Sequence, residues 1–173
     1  MGKNLLSHPY HRIVSAKYLS EIKDTLGKVV ITTGTFDYPQ HYLHYRYLAS
    51  AKSLGDTLVV LMDSDKLAKE RKGNSRPHIT FKTRAITLLW TQHVDYVVEL
   101  DISNHTILDI SSIKLIKPNV YVQSENTNEP PQNKMKKYKI LKKLEINLVY
   151  FPQNNVDIST TSLTKSLITS HLW

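Results

Sequence analysis

Five short runs of β-branched and aliphatic residues, separated by stretches with helical periodicity, constrain this chain more than any other feature. Val29, Val30, Ile31, Thr32 and Thr33 form the first run, stopped by Gly34. Residues 58–62, 96–100, 119–122 and 147–151 form the others. Between them, residues 44–54, 80–92 and about 105–115 read as helices. Tyr47, Leu48, Ala51 and Leu54 share one helical face, and Gly55 follows as a stop. The strands are apolar on both sides, the property of strands covered on both faces. Strands joined through helices of this length connect as right-handed parallel crossovers.

The expected fold is therefore α/β, a Rossmann-like doubly wound parallel sheet of about five strands with helices on both faces. Residues 1–27 read as an N-terminal leader with one helix at about 16–26, and residues 28–173 as one domain. Residues 124–133 are polar and proline-containing and read as a loop, and a last helix follows Ser159. Cys is absent, which excludes disulfides, thiolate zinc sites, iron–sulfur clusters and cysteine nucleophiles. Apolar runs fall far short of the roughly 20 residues a membrane span needs. The opening residues carry no long apolar segment of the secretory kind. A cytoplasmic protein with no membrane partner is the expectation.

Lys and Arg total 23 against 15 Asp and Glu, leaving a net charge of +8 that attracts phosphate. Nucleic acid is not the expected partner, because no helix-turn-helix, zinc or RNP-like pattern is present. The densest basic run, Lys134, Lys136, Lys137, Lys139, Lys142 and Lys143, is interleaved with Met135, Tyr138, Leu141 and Leu144. That spacing reads as an amphipathic helix whose lysines form its solvated face.

In an open parallel sheet, ligands bind beyond the carboxyl ends of the strands. After Thr33 come Gly34, Thr35, Phe36 and Asp37, then His41 and His44 at the start of a helix. Gly34 lets a ligand approach the backbone, and a helix N-terminus suits phosphate. His41 and His44, three residues apart, point the same way. Two readings stay open at this level: a pair of imidazoles donating to phosphate oxygens, or two incidental polar residues at a helix start. No Walker-type loop is present. No third ligand at metal spacing accompanies the pair, so a zinc site is not expected.

Gly34-Thr35-Phe36-Asp37 followed by His41-Tyr42-Leu43-His44 resembles the G-x-F-D…H-x-G-H signature of the cytidylyltransferase-like nucleotidyltransferases. The resemblance continues in order. Residues 51–60 are similar to A-x-x-x-G-D-x-L-V-V, and Lys72-Gly73, Arg76-Pro77 and Arg84 to a K-G…R-P…R stretch. Residues 94–98 are similar to V-D-x-V-V, Lys117-Pro118-Asn119-Val120 to K-P-D-V, and Ile158-Ser159-Thr160-Thr161 to I-S-T-T. The leader at residues 12–15 and the Lys-Gly…Arg-Pro segment resemble the adenylyltransferase domain of ADP-heptose synthases most.

That resemblance implies attack of an acceptor phosphate on the α-phosphorus of an NTP, ATP favoured over CTP, with loss of pyrophosphate. The acceptor it implies is a phosphorylated sugar or polyol. His41, His44 and Lys72 would be catalytic. Thr33, Gly34, Thr35, Phe36, Arg84, Ser159, Thr160 and Thr161, with both histidines, would bind the nucleotide. Asp37, Arg71 and Arg76 would bind the acceptor. Mg²⁺ would enter through the NTP phosphates, with no metal-ligating side chains, and a homodimer is left open. Read without the resemblance, Ser159, Thr160 and Thr161 also fit an ordinary helix cap, and Arg84 a surface residue or ion pair. Departures from the signature are Leu43 in place of Gly, one extra residue between Phe36 and His41, Gln123-Ser124-Glu125-Asn126 where K-G-G-D is usual, and Asp157 before Ile158. They frame the alternative, a degenerate homologue that binds a nucleotide or sugar phosphate without turnover.

Overall fold

The computed structural model describes residues 8–101, 109–125, 130–152 and 163. Five strands, β1 (Val29–Gly34), β2 (Thr57–Asp63), β3 (Tyr96–Leu100), β4 (Val120–Ser124) and β5 (Asn147–Phe151), form one sheet in the order β3-β2-β1-β4-β5. Every neighbouring pair is parallel. The α/β expectation is met, and β3 and β5 have the bounds expected from the sequence. The chain reverses its direction of travel across the sheet between β1 and β4, which is where such sheets open a crevice beyond their carboxyl ends.

The helices are α1 (Ala16–Glu21), α2 (Tyr42–Lys52), α3 (Asp65–Lys72), α4 (Phe81–Trp90), α5 (Ile110–Ile116) and α6 (Pro131–Lys143). One core layer joins Val29, Ile31, Val59, Leu61 and Tyr121 of the sheet to Leu19 of α1, Leu67 of α3, Ile113 of α5 and Leu141 of α6. The opposite layer joins Val30, Val60 and Val122 to Tyr47 and Leu48 of α2 and Leu88 and Leu89 of α4. Alternation along each strand divides its side chains between the two layers. Helices α2 and α4 therefore cover one face, and α1, α3, α5 and α6 the other.

Several of the motif residues hold the amino ends of the strands together. Asp56 accepts from the Lys28 N–H at 2.7 Å. Asp95 accepts from the Leu58 N–H at 2.7 Å and from Lys52 at 2.6 Å. Asn119 accepts from the Val29 N–H at 2.8 Å. Gly55 has no room for a side chain: a Cβ would lie 2.5 Å from the Lys28 carbonyl oxygen. Residues 8–27 pack into the same core through Leu19 and Leu26, and Arg12 donates to the carbonyls of Val94 and Leu89 at 3.2 and 3.0 Å.

Some expectations shift. The leader helix stops at Glu21 and continues as a 3₁₀ turn, Lys23–Thr25. Helix α6 begins at Pro131, inside the stretch read as loop, because proline suits the first helical position. The α6 lysines are not all solvated. Lys137 is buried with Leu141, while Met135 and Tyr138, read as apolar stripe, are exposed. Helix α3 is not among the expected helices. Only Leu67 and Ala68 of its eight residues are buried, too few to make a stripe. The expected last helix lies outside the described residues apart from Leu163, which is helical.

Candidate functional site

Beyond β1 the chain makes a sharp turn in which Phe36 adopts a left-handed φ of 47°. That conformation costs a non-glycine residue about 1–2 kcal/mol and marks a turn held by its surroundings. The Phe36 ring is buried and lies over Gly34, where a Cβ would come within 2.9 Å of it. Gly34 is thus required by packing of the turn itself. Gln40 donates to the Phe36 carbonyl at 3.1 Å and closes the loop.

His41 is the N-cap of α2 and His44 its third residue. The rings lie 4.0 Å apart between centroids, and the Phe36 ring is 6.0 Å from that of His44. The His41 backbone N–H donates to Nδ1 of His44 at 3.2 Å. Burial lowers the pKa of both imidazoles. For His44, burial and the neighbouring charge of His41 bring it from 6.5 to about 4. His44 is therefore neutral near pH 7. Nδ1 of His41 is buried without a hydrogen-bond partner among the described residues. Both rings are half-buried rather than solvent-facing. Leu43, between them, is 5 % exposed, so its side chain packs into the protein.

The other expected site residues fall into two groups. Asp37, buried, accepts from Arg76 at 2.7 Å and from the His78 N–H at 2.9 Å. Burial pushes its carboxyl up, but the Arg76 hydrogen bond, the His78 and Tyr38 N–H groups and the Arg76 charge together hold it below the usual range. Asp37 and Arg76 thus tie the turn after β1 to the loop before α4. Arg71 and Lys72 stand in the last turn of α3, followed by Gly73 at a φ of 100°. Arg71 pairs with Asp63 at 2.6 Å, and Lys72 is exposed.

Arg84 is fully buried beneath the turn rather than on a helix surface. It donates to the carbonyls of Thr35 at 2.5 Å, Asp63 at 2.9 Å and Ile79 at 3.2 Å, and to the Asp65 carboxylate at 2.8 Å. Asp63, at the end of β2, accepts from the Thr35 hydroxyl at 2.6 Å as well as from Arg71. Sequence reasoning missed Asp63; its one signal is an acidic residue directly after an apolar strand. Thr33 shares a hydrogen bond of 2.9 Å with the Tyr121 hydroxyl of β4. Ser159, Thr160 and Thr161 lie outside the described residues.

Chemically, the arrangement offers a neutral imidazole pair at the start of an 11-residue helix, a backbone turn pinned by a buried arginine, and basic residues at the end of α3. These are groups suited to an anion with several oxygens.

The chain matches the cytidylyltransferase-like family model over residues 31–166. The bifunctional protein HldE of Campylobacter curvus (strain 525.92) is 40 % identical over 115 residues, covering 65 % of this chain and 24 % of that protein. HldE of Helicobacter pylori (strain ATCC 700392 / 26695) is 36 % identical over 119 residues, covering 69 % and 24 %. The chain thus spans about a quarter of the length of these relatives. Among solved structures, a lipopolysaccharide core biosynthesis protein from Thermoplasma volcanium GSS1 superposes with a TM-score of 0.60 at 21 % identity, covering 76 % of this chain and 99 % of that one. Pantothenate synthetase from Thermus thermophilus superposes with a TM-score of 0.55 at 14 % identity, covering 88 % and 67 %. At those identities the structural likeness speaks for the fold.

Proposed function

The chain belongs to the cytidylyltransferase-like family, and we propose that it is a nucleotidyltransferase that joins the nucleoside monophosphate part of an NTP to a phosphorylated sugar or polyol. An oxygen of the acceptor phosphate attacks the α-phosphorus. The bond from that phosphorus to the bridging oxygen of the β-phosphate breaks, and pyrophosphate leaves with the electron pair. No covalent intermediate on the protein is needed. Catalysis of this kind rests on positioning and on stabilising charge that builds on the phosphoryl oxygens.

The observation that carries the reading is the His41–His44 pair at the N-terminus of α2, beyond the carboxyl end of β1. Neutral His44 donates from its ring without first having to be protonated. Arg84 holds the Thr35 carbonyl and so fixes the turn that cradles the phosphates. Lys72 neutralises phosphate charge, and Ser159, Thr160 and Thr161 complete the nucleotide site. The Asp37–Arg76 and Asp63–Arg71 pairs line the acceptor side. ATP is favoured by the resemblance to the heptose branch.

Mg²⁺ belongs to the proposal as a companion of the triphosphate. No cluster of three metal-ligating side chains exists among the described residues, and Asp37 and Asp63 are engaged by arginines. The ion would arrive on the phosphates and supply charge neutralisation there. A cytoplasmic setting and assembly as a homodimer are also proposed. No helix among the described residues is long and apolar enough to cross a membrane.

The test is pyrophosphate release from ATP, CTP, GTP and UTP, each with a panel of sugar 1-phosphates, sugar 7-phosphates and glycerol 3-phosphate. Release that depends on both substrates, fastest with ATP, supports the reading. Binding of nucleotide with no release from any pair overturns it.

A further inference from the structure

Helices α5 and α6 both pack on the sheet face opposite α2, and neither contains an acidic residue. Lys136, Lys139, Lys142 and Lys143 of α6 are exposed, as are Lys114 of α5 and Lys117 directly after it. None of these lysines has an ion pair among the described residues. Lysines in a last helical turn complement the helix dipole, which accounts for Lys114, Lys142 and Lys143. It does not account for Lys136 and Lys139 in the middle of α6. Lys139 and Lys143 also stand four residues apart, where like charges weaken a helix.

The outward side of α6 also carries Met135 and Tyr138, 56 % and 47 % exposed, and α5 exposes Leu115. Between the carboxyl ends of the two helices lies a cavity of about 570 Å³. Ile113, Pro118, Leu144 and Ile146 form its apolar wall, and Lys114 and Lys117 stand at its rim. Glu145 is the one acid that borders it. Unpaired ammonium groups therefore surround apolar surface. A nucleic acid or an acidic protein answers the lysines but leaves the methionine and the apolar cavity without a partner. A phospholipid answers both, with an anionic head group for the lysines and acyl chains for the rest. Lysine stems are long enough to hold their heads at phosphate level while Met135 and Tyr138 reach deeper, and a tyrosine ring suits that interface.

We propose that the α5–α6 face is a docking surface for an anionic phospholipid bilayer. The lysines meet the head groups, and Met135, Tyr138 and the cavity take the apolar part. The shortness of the apolar runs bears on crossing a membrane, not on lying against one. The histidine pair belongs to α2 on the other side of the sheet and stays clear of the covered face. The inference stands apart from the nucleotidyltransferase reading above.

The test is sedimentation of the full chain with vesicles at near-physiological salt. One set is phosphatidylcholine alone, and the other contains about one third phosphatidylglycerol. Partitioning is expected to be at least tenfold stronger on the anionic set. Lys136→Gln, Lys139→Gln and Lys142→Gln together should weaken it on the order of 100-fold, about fivefold for each lysine removed. Lys82→Gln, exposed on α4 across the sheet, should stay within twofold of the parent. Met135→Ser with Tyr138→Ser should weaken binding at least fivefold. Equal partitioning on the two sets, or a triple variant that sediments like the parent, overturns the proposal. Binding unaffected by the Met135 and Tyr138 changes means that any polyanion suffices and also overturns it. So does tighter binding to a single-stranded oligonucleotide than to anionic vesicles at equal phosphate concentration. Circular dichroism on each variant separates a lost surface from a lost fold.

Discussion

The backbone N–H of His41 donates to Nδ1 of His44, 3.2 Å away. Because Nδ1 accepts, the proton of the neutral ring sits on Nε2, so the cap that starts α2 also fixes which ring nitrogen is the donor. His44→Ala removes that donor and is expected to lower turnover on the order of 100-fold, the usual cost of one lost transition-state donor. The fold should persist, as seen by circular dichroism, and affinity for ATP, followed by titration, should fall much less than turnover. Unchanged turnover would take His44 out of the chemistry.

Stability should fall on the acid side, because burial and the neighbouring charge of His41 disfavour the protonated His44 ring. The His44 pKa is lowered from 6.5 to about 4, so between those values the unfolded chain binds a proton that the native state refuses. The His44 contribution is fully present above pH 6.5 and is lost as pH falls towards 4, by up to about 1.4 kcal/mol per pH unit. Urea midpoints at pH 7, 6 and 5 measure the slope, and His44→Gln should flatten it. A bound triphosphate favours the charged imidazole, so ATP binding near pH 5.5 should take up protons. A binding enthalpy that does not vary with the ionisation enthalpy of the buffer would contradict that.

Leu43 stands where the family signature carries glycine, yet it is 5 % exposed and packed against the protein. Leu43→Gly is therefore expected to leave nucleotide affinity unchanged. It should cost about 2–4 kcal/mol of stability through lost burial and added backbone freedom in the first turn of a helix. Calorimetry with ATP and CTP checks the first part and urea unfolding the second. Tenfold tighter binding would mean that the leucine obstructs the site.

Arg84 joins the turn after β1, the end of β2 and the approach to α4 through three carbonyls and one carboxylate. Lysine keeps the charge but cannot reach these partners at once. Arg84→Lys should destabilise by about 3–5 kcal/mol, the range for breaking a buried charged network, and weaken nucleotide binding as the Thr35 carbonyl loses its anchor. A variant within about 0.5 kcal/mol of the parent, inside the ordinary range for surface changes, would show that the network is dispensable.

The parts of this fold legible in the sequence are those where a short aliphatic and aromatic run is closed off by polar residues or turns. Strands β3 and β5 are legible to the residue for that reason, although Glu99 of β3 is exposed and no residue of β5 is fully buried. Helix α2 is legible from Tyr47, Leu48 and Ala51, its start displaced only because His41 caps it. Helix α3 escapes because charged residues dominate it. The α6 face misleads because one lysine points inward, which reverses the pattern that periodicity relies on. At the site, the histidine pair and the glycine turn are readable as chemistry. The roles of Arg84 and Asp63 are not, since their partners are largely backbone carbonyls and hydroxyls from distant segments, and no spacing rule encodes those.

The segment before α1 has a consequence for handling the protein. Ile13 bridges to Val97, and the Val14 N–H donates to the Val97 carbonyl at 2.9 Å, so this short stretch lies along β3, the outer strand beside β2. An open strand edge is a template for another chain, and aggregation starts from such edges. Residues 12–14 therefore act as a guard rail for the sheet. A version trimmed to start at residue 28 should form concentration-dependent, amyloid-dye-positive aggregates at temperatures where the full chain stays monodisperse in light scattering. A trimmed version that stays equally monodisperse would mean that the edge is protected by other means.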